Sequence, residues 1–285
     1  MTILVTGGNG QLGCALRLAS AESRHRFVFT DIEELDITST TAIEAFFCRN
    51  KVDVVVNCAA YTAVDLAEEN EEQADLINHK AVAILADACK RHNATLVHIS
   101  TDYIFSGNSD LPYSEEAIPA PINAYGRTKL AGEKAIVESG CNYIILRTAW
   151  LYSQFGRNFV KTMRELTATR SEIRVVADQV GTPTYAGDLA KAITYIINSG
   201  QLSKCGIYNY SNEGQCSWHD FAVEIARLSG NSHCKISPCT TADYPTKACR
   251  PEYSVLDKRK IKEVFGIEIP QWKESLKQCI AELEK

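Results

Sequence analysis

The sequence has no apolar run approaching the ~18 to 20 residues that a membrane span needs. It also has no surplus of positive charge, with 30 Lys and Arg against 35 Asp and Glu and a formal net charge of −5. The first lack excludes a transmembrane helix from the reading, and the second removes the electrostatic footprint of a nucleic-acid binder. No basic and long apolar leader precedes the strand-like residues Met1 to Thr6, so the expected location is the cytoplasm. Eleven cysteines are many, yet the number is odd and no Cys-x-x-Cys occurs. Reduced thiols are therefore expected, with Cys58 and Cys89 in apolar surroundings. The histidines at 25, 79, 92, 98, 219 and 233 show no metal-ligand spacing, and no metal is expected. Internal repeats, low-complexity segments and flexible linkers are lacking too. What remains, 45% hydrophobic and 23% charged residues over 285 positions, suits a large α/β domain with a smaller, intimately packed lobe.

The first informative stretch is strand, glycine turn and helix. Thr2 to Thr6 is β-branched and apolar, Gly7-Gly8-Asn9-Gly10-Gln11-Leu12-Gly13 follows, and an Ala- and Leu-rich segment runs from Cys14 to Ala21. Read as Gly7-x-x-Gly10-x-x-Gly13 or as Gly8-x-Gly10-x-x-Gly13, the glycines allow a tight turn, close approach of backbone to a pyrophosphate and close helix packing, with the helix N-terminus facing the phosphates. A second strand, Arg26 to Thr30, ends in Asp31, placed to accept hydrogen bonds from a ribose 2′-hydroxyl and to repel an extra phosphate there. Asp36, before Ile37, either approaches an adenine or caps the helix expected over Thr38 to Asn50.

Further strands bring polar groups to the same sheet edge. Val52 to Asn57 reads as a strand buried on both faces, and it ends in Cys58-Ala59-Ala60-Tyr61-Thr62, small residues that leave room for a cofactor. Thr95 to Ile99 delivers Ser100-Thr101-Asp102-Tyr103, and Tyr143 to Arg147 delivers Thr148-Ala149-Trp150. Trp150 reads equally as core filler or substrate contact. Leu76, Ile77, Ala81, Ile84, Leu85 and Ala88 recur at helical spacing and read as packing. Asn78 within them has no assigned role.

Tyr125-Gly126-Arg127-Thr128-Lys129 sets a phenol and an ammonium four residues apart on one helical face, with Asn123 as the expected cap. A free tyrosine titrates near ~10, and a cation within ~4 to 6 Å lowers that by ~1 to 3 units, so Lys129 is expected to tune Tyr125 as a proton donor. Beyond Trp150 the alternation loosens. Helices are expected over 158–168, 186–199, 217–229, 258–265 and 271–283, with strands over 174–177 and 207–210 in a smaller lobe.

Three ordered motifs, Thr6 to Gly13, Ser100 to Phe105 and Tyr125 to Lys129, resemble those of the extended short-chain dehydrogenase/reductase superfamily. Ala59 to Asp65, Arg147 to Tyr152, Asp178 to Thr184 and Arg250-Pro251 extend the likeness to its branch that reduces the C4 carbonyl of a dTDP-linked sugar. The resemblance implies a doubly wound parallel sheet (Rossmann), residues 1–150 joined by about 186–205, with 151–285 mostly a smaller α/β substrate lobe. It implies NADH or NADPH as cofactor, held by Gly7, Gly10, Gln11, Leu12, Gly13, Asp31, Asp36, Ile37, Ala60, Tyr61 and Thr62 together with Tyr125 and Lys129. Catalysis falls to Tyr125, Lys129 and Thr101, and a nucleotide-sugar substrate to Thr101, Asp102, Trp150 and Arg250. Some members dimerise through a magnesium ion held by acidic residues. Here those neighbourhoods read Cys14-Ala15-Leu16 and Ala186-Gly187-Asp188, so the metal is not carried over, while a homodimer is allowed. A non-catalytic nucleotide-sugar or dinucleotide-binding subunit and a nucleotide-sugar epimerase are the alternatives.

Overall fold

The computed structural model describes residues 1–285. Thr2–Thr6 (β1) sends Ile3 and Val5 into one core and Leu4 into another, because side chains alternate across a strand. Helices must therefore cover both faces. The chain continues through α1 (Gln11–Ala19), β2 (Arg26–Phe29), α2 (Thr40–Asn50), β3 (Val54–Asn57), α3 (Val64–Ala67) and α4 (Glu71–Asp75). Next come α5 (Ala81–Arg91), β4 (Thr95–Thr101), α6 (Ala124–Ser139), β5 (Asn142–Thr148), β6 (Leu151–Tyr152) and α7 (Phe159–Thr169). After β7 (Glu172–Val176), β8 (Val180–Gly181) and β9 (Thr184–Tyr185) follow α8 (Ala186–Asn198), β10 (Gly206–Asn209) and β11 (Cys216–Ser217). The last elements are α9 (Trp218–Leu228), β12 (Lys235–Cys239), α10 (Arg259–Phe265) and α11 (Trp272–Leu283).

The main sheet has the order β2-β1-β3-β4-β5-β10, with every neighbouring pair parallel. The expected doubly wound sheet is present. The chain leaves β1 for β2 on one side and returns to β3 on the other, so a crevice opens beyond the carboxyl ends of β1 and β3. One face packs on α1, α8 and α10 through Leu16, Leu189, Ile193, Ile261 and Phe265. The other packs on α2, α5 and α6 through Ile43, Phe47, Leu85 and Ile136. A third core joins Tyr152, Met163, Phe221, Ile225, Trp272 and Leu276 beneath the short sheets β7–β12, β6–β9 and β8–β11.

Residues 207–210 require a correction. They do not belong to the smaller lobe: Ile207 pairs with Ile145 at the edge of the main sheet, and Tyr208 and Tyr210 enter the core that holds Ile3. The partner strand lies far upstream, and a four-residue run carries no local sign of which sheet it joins. β12 escapes the sequence pattern because Pro238 sits within it, which an edge strand tolerates.

The α6 helix that carries Tyr125 is fastened at several points. Asn123 accepts a hydrogen bond from the Gly126 N–H at 2.8 Å and donates one to the Cys249 carbonyl at 2.8 Å, the expected cap with a tether added. Deeper in the helix, Glu133 forms an ion pair with Arg147 of β5 at 2.7 Å, both side chains only 3% exposed. Ser100 donates to the same carboxylate, so α6, β4 and β5 meet there. Removing one partner of a buried pair strands the other charge. Arg147→Met is expected to cost about 3 to 5 kcal/mol in urea unfolding, while Arg127→Met, at a surface pair with Glu71, costs under about 1 kcal/mol. Equal small losses would show that the buried pair does not fasten the helix.

Candidate active site

The glycine turn is shaped by close contact. Gly7 adopts φ +64°, and a Cβ there would lie 2.7 Å from the Ala59 nitrogen, so only glycine lets the end of β1 pass the end of β3. A Cβ on Gly13 would overlap the Gly7 carbonyl. Helix α1 starts at Gln11, before the expected Cys14, behind Gly10, with no side-chain cap and no acidic residue in its first turn. Its first N–H groups are therefore left for an anion. Asp31, at the end of β2, accepts hydrogen bonds from the Asn9 and Ile32 N–H groups, both at 2.9 Å, which fixes the carboxylate beside the turn. These features fit a dinucleotide: an open helix N-terminus, a backbone cradle and an anchored acceptor.

Across the crevice, β4 ends in Thr101 and Asp102. The Thr101 hydroxyl donates to Asp102 Oδ1 at 3.1 Å and accepts from the Tyr103 N–H at 3.2 Å. The other carboxylate oxygen, Asp102 Oδ2, is buried in the cavity wall without a partner. Burial pushes the Asp102 carboxyl up to about 6, against hydrogen bonds that lower it. Tyr125 meets Tyr103 edge-on, with ring centroids 5.7 Å apart. Burial pushes the Tyr125 phenol up to about 12, with a hydrogen bond to Thr101 pulling the other way.

This overturns the expected lowering of Tyr125 by Lys129. The Lys129 ammonium, 1% exposed, donates to the Ile99 carbonyl at 2.6 Å and faces His98 Nε2 at 3.2 Å. His98 Nδ1 meets the Asn57 amide at 3.0 Å, and Thr6 donates to Asn57 at 2.6 Å. Spacing on the helix puts Tyr125 and Lys129 on one face, but two acceptors on β4 decide where the ammonium goes. Burial lowers Lys129 to about 8, partly offset by Glu133, and His98 falls well below its ordinary value through burial and the adjacent Lys129.

One cavity of about 600 Å³ brings together Gly7, Gly10, Gln11, Leu12, Gly13, Ala60, Thr62, Thr101, Asp102, Tyr125, Lys129 and Trp150. Trp150, at φ +47°, stacks on Trp218 with centroids 3.5 Å apart, so its ring both lines the cavity and packs. The remaining expected residues lie outside the wall. Asp36 accepts from the N–H and hydroxyl of Thr38, while Ser39 caps α2; Ile37 is buried in a core. Arg250 pairs with Asp65 at 2.7 Å. The main chain of Tyr61 is clamped by Asn78, which accepts its N–H at 2.8 Å and donates to its carbonyl at 3.1 Å and to Thr128 at 3.1 Å. A π-helical turn over Leu76–Lys80, joining α4 to α5, contains the fully buried Asn78. Apolar spacing gave no signal for that role. Gly156 to Phe159 and Trp218 also line the cavity, and nothing local in their sequence marks them. Asp188, the surviving acidic position of the family's metal set, accepts from Asn212 at 3.0 Å and from Ser275.

The family model for the RmlD substrate binding domain matches residues 1–285. A dTDP-4-dehydrorhamnose reductase from Aggregatibacter actinomycetemcomitans is 40% identical, with 99% of each chain covered. A crystal structure of a dTDP-4-dehydrorhamnose reductase from Clostridium acetobutylicum is 44% identical, covers 100% of both chains and has a TM-score of 0.96. Another from Bacillus anthracis, in complex with NADP, is 38% identical, covers 99% of both chains and has a TM-score of 0.94.

Asp102 yields a test that needs no substrate. Its folded value of about 6 lies above the ordinary 3.8, so the folded state holds the proton more tightly. That contribution is full below about 3.8 and is lost as pH rises through about 6. The stability of Asp102→Asn relative to wild type should thus rise between pH 4 and pH 7, by on the order of 3 kcal/mol in denaturant titrations. A difference independent of pH would show that the carboxylate is not held in a desolvated site.

Proposed function

The chain belongs to the RmlD substrate binding domain family, and from that premise we propose that it reduces the C4 carbonyl of dTDP-4-dehydro-L-rhamnose to dTDP-L-rhamnose with NADH or NADPH. The observation that carries the reading is the single cavity whose wall holds both the glycine turn and the hydroxyls of Thr101 and Tyr125. The names of the full-length relatives support the same reaction.

When bound, the nicotinamide cofactor supplies the hydride that goes to the carbonyl carbon. The residues of this chain do the rest. Backbone N–H groups of Gln11 to Gly13 hold the dinucleotide phosphates, and Asp31 accepts from the adenosine ribose. Lys129 has three N–H donors and two acceptors within the protein, which leaves one N–H for the nicotinamide ribose. Tyr125 arrives protonated, its phenol held well above neutral pH, and it gives its proton to the oxygen that becomes the C4 hydroxyl. Thr101 orients that phenol. Asp102 stands in the wall beside Thr101 where the sugar binds, and Trp150, Trp218 and Phe159 keep water from the sugar. The reading includes a cytoplasmic location, a homodimer as the family resemblance allows, and no nucleic-acid partner. The structure has no helix long and apolar enough to cross a membrane.

The test is to mix the protein with dTDP-4-dehydro-L-rhamnose and NADPH or NADH, following nicotinamide absorbance and the sugar product. Oxidised cofactor should accumulate in step with dTDP-L-rhamnose. An epimerase would leave the reduced cofactor untouched, and a binding subunit would form no product. Tyr125→Phe should lower kcat by ~10²- to 10⁴-fold with little change in cofactor affinity. Reduction at the wild-type rate by that variant would mean the proton comes from elsewhere.

A further inference from the structure

The charges in the cavity wall are unevenly committed. One carboxyl, one ammonium and one guanidinium line it, those of Asp102, Lys129 and Arg157. Lys129 is buried against Ile99 and His98. Arg157 is exposed, has no carboxylate partner and makes no side-chain hydrogen bond, unlike Arg250 on Asp65 or Arg147 on Glu133. A dinucleotide and a nucleotide sugar each bring a diphosphate into a protein whose own formal charge is −5 and whose glycine turn has no Lys or Arg. That charge calls for a cation within the cavity.

The segment that carries Arg157 is bound to the glycine turn. The side-chain oxygen of Gln11, the first residue of α1, accepts hydrogen bonds from the Ser153 hydroxyl at 3.0 Å and the Asn158 amide at 2.9 Å. Asn158 also caps α7 by accepting the Lys161 N–H at 3.2 Å, and it donates to the Ser153 carbonyl at 2.7 Å. Between them the chain turns at Gly156, where φ is +58° and a Cβ would stand 3.4 Å from Gln11 Cγ. Arg157 is thus held one residue from contact with the turn whose uncapped N–H groups await phosphate.

We propose that Arg157 binds the diphosphate of the dinucleotide, carried to the glycine turn by the Ser153–Gln11–Asn158 hydrogen bonds; this rests on the reading of the cavity as a dinucleotide site. The diphosphate of the nucleotide sugar has the same chemistry, so the experiment measures both. Binding of NADPH and of dTDP is measured separately by calorimetry for wild type, Arg157→Met and Arg157→Lys, with unliganded thermal unfolding confirming that each variant folds. Arg157→Met should weaken NADPH about tenfold or more and flatten its dependence on salt, while Arg157→Lys recovers most of the affinity. Binding of dTDP should stay within about twofold of wild type. Unchanged NADPH affinity in Arg157→Met, or a loss confined to dTDP, overturns the proposal. Failure of wild-type protein to bind either NADPH or NADH would overturn the cavity reading beneath it.

Discussion

An ammonium buried without a carboxylate in contact is the constraint on which the site depends. Lys129 is held by a carbonyl and an imidazole, at 2.6 Å and 3.2 Å, in a place where leaving either N–H unpaired would be costly. Both acceptors lie on β4, one residue apart, so the helix carrying Tyr125 is located relative to the strand carrying Thr101. A charged Lys129 needs His98 Nε2 as an acceptor, which puts the ring proton on Nδ1. The structure sets the Asn57 amino group toward His98 and its oxygen toward Thr6, and that ring proton calls for the reversed amide, which fills the same space. Through Thr6 the network reaches the first residue of the glycine turn. The glycine turn, β4 and α6 are tied by one line of polar groups, Thr6, Asn57 and His98, that ends on the Lys129 ammonium.

A second fastening lies deeper. The Glu133–Arg147 pair with Ser100 holds α6 to β4 and β5 from below, while Asn78 holds it from the side through Thr128 and the backbone of Tyr61. These groups give no chemistry of their own. They set where Tyr125 can stand, and burial then sets its protonation.

The strand, glycine turn and helix, the acid at the end of β2 and the polar carboxyl ends of β3, β4 and β5 were legible because each depends on residues close in sequence. So was the face shared by Tyr125 and Lys129. What escaped depends on partners distant in sequence. His98 alternates as a strand residue should, and only Lys129, from another element, gives it a role. Asn78 sits in an apolar helical pattern, and the π-helical turn around it leaves no compositional mark. The edge strand β10 needs β5 to define it, and the pairing of Arg250, expected at the substrate, with Asp65 shows only in the fold. The expected tuning of Tyr125 failed for a related reason: spacing four apart fixes which face a lysine leaves, not which acceptor its long chain finds.

The central claim is that burial, rather than the nearby lysine, sets the state of the phenol in the unliganded protein. Tyrosine labelled with ¹³C at Cζ, with the Tyr125 signal assigned by its loss in Tyr125→Phe, reports that directly in an NMR pH titration. The Tyr125 signal should stay that of a neutral phenol until the pH approaches about 12. A titration below the ordinary value of 10.0 would contradict the account and return Lys129 to the role of tuner.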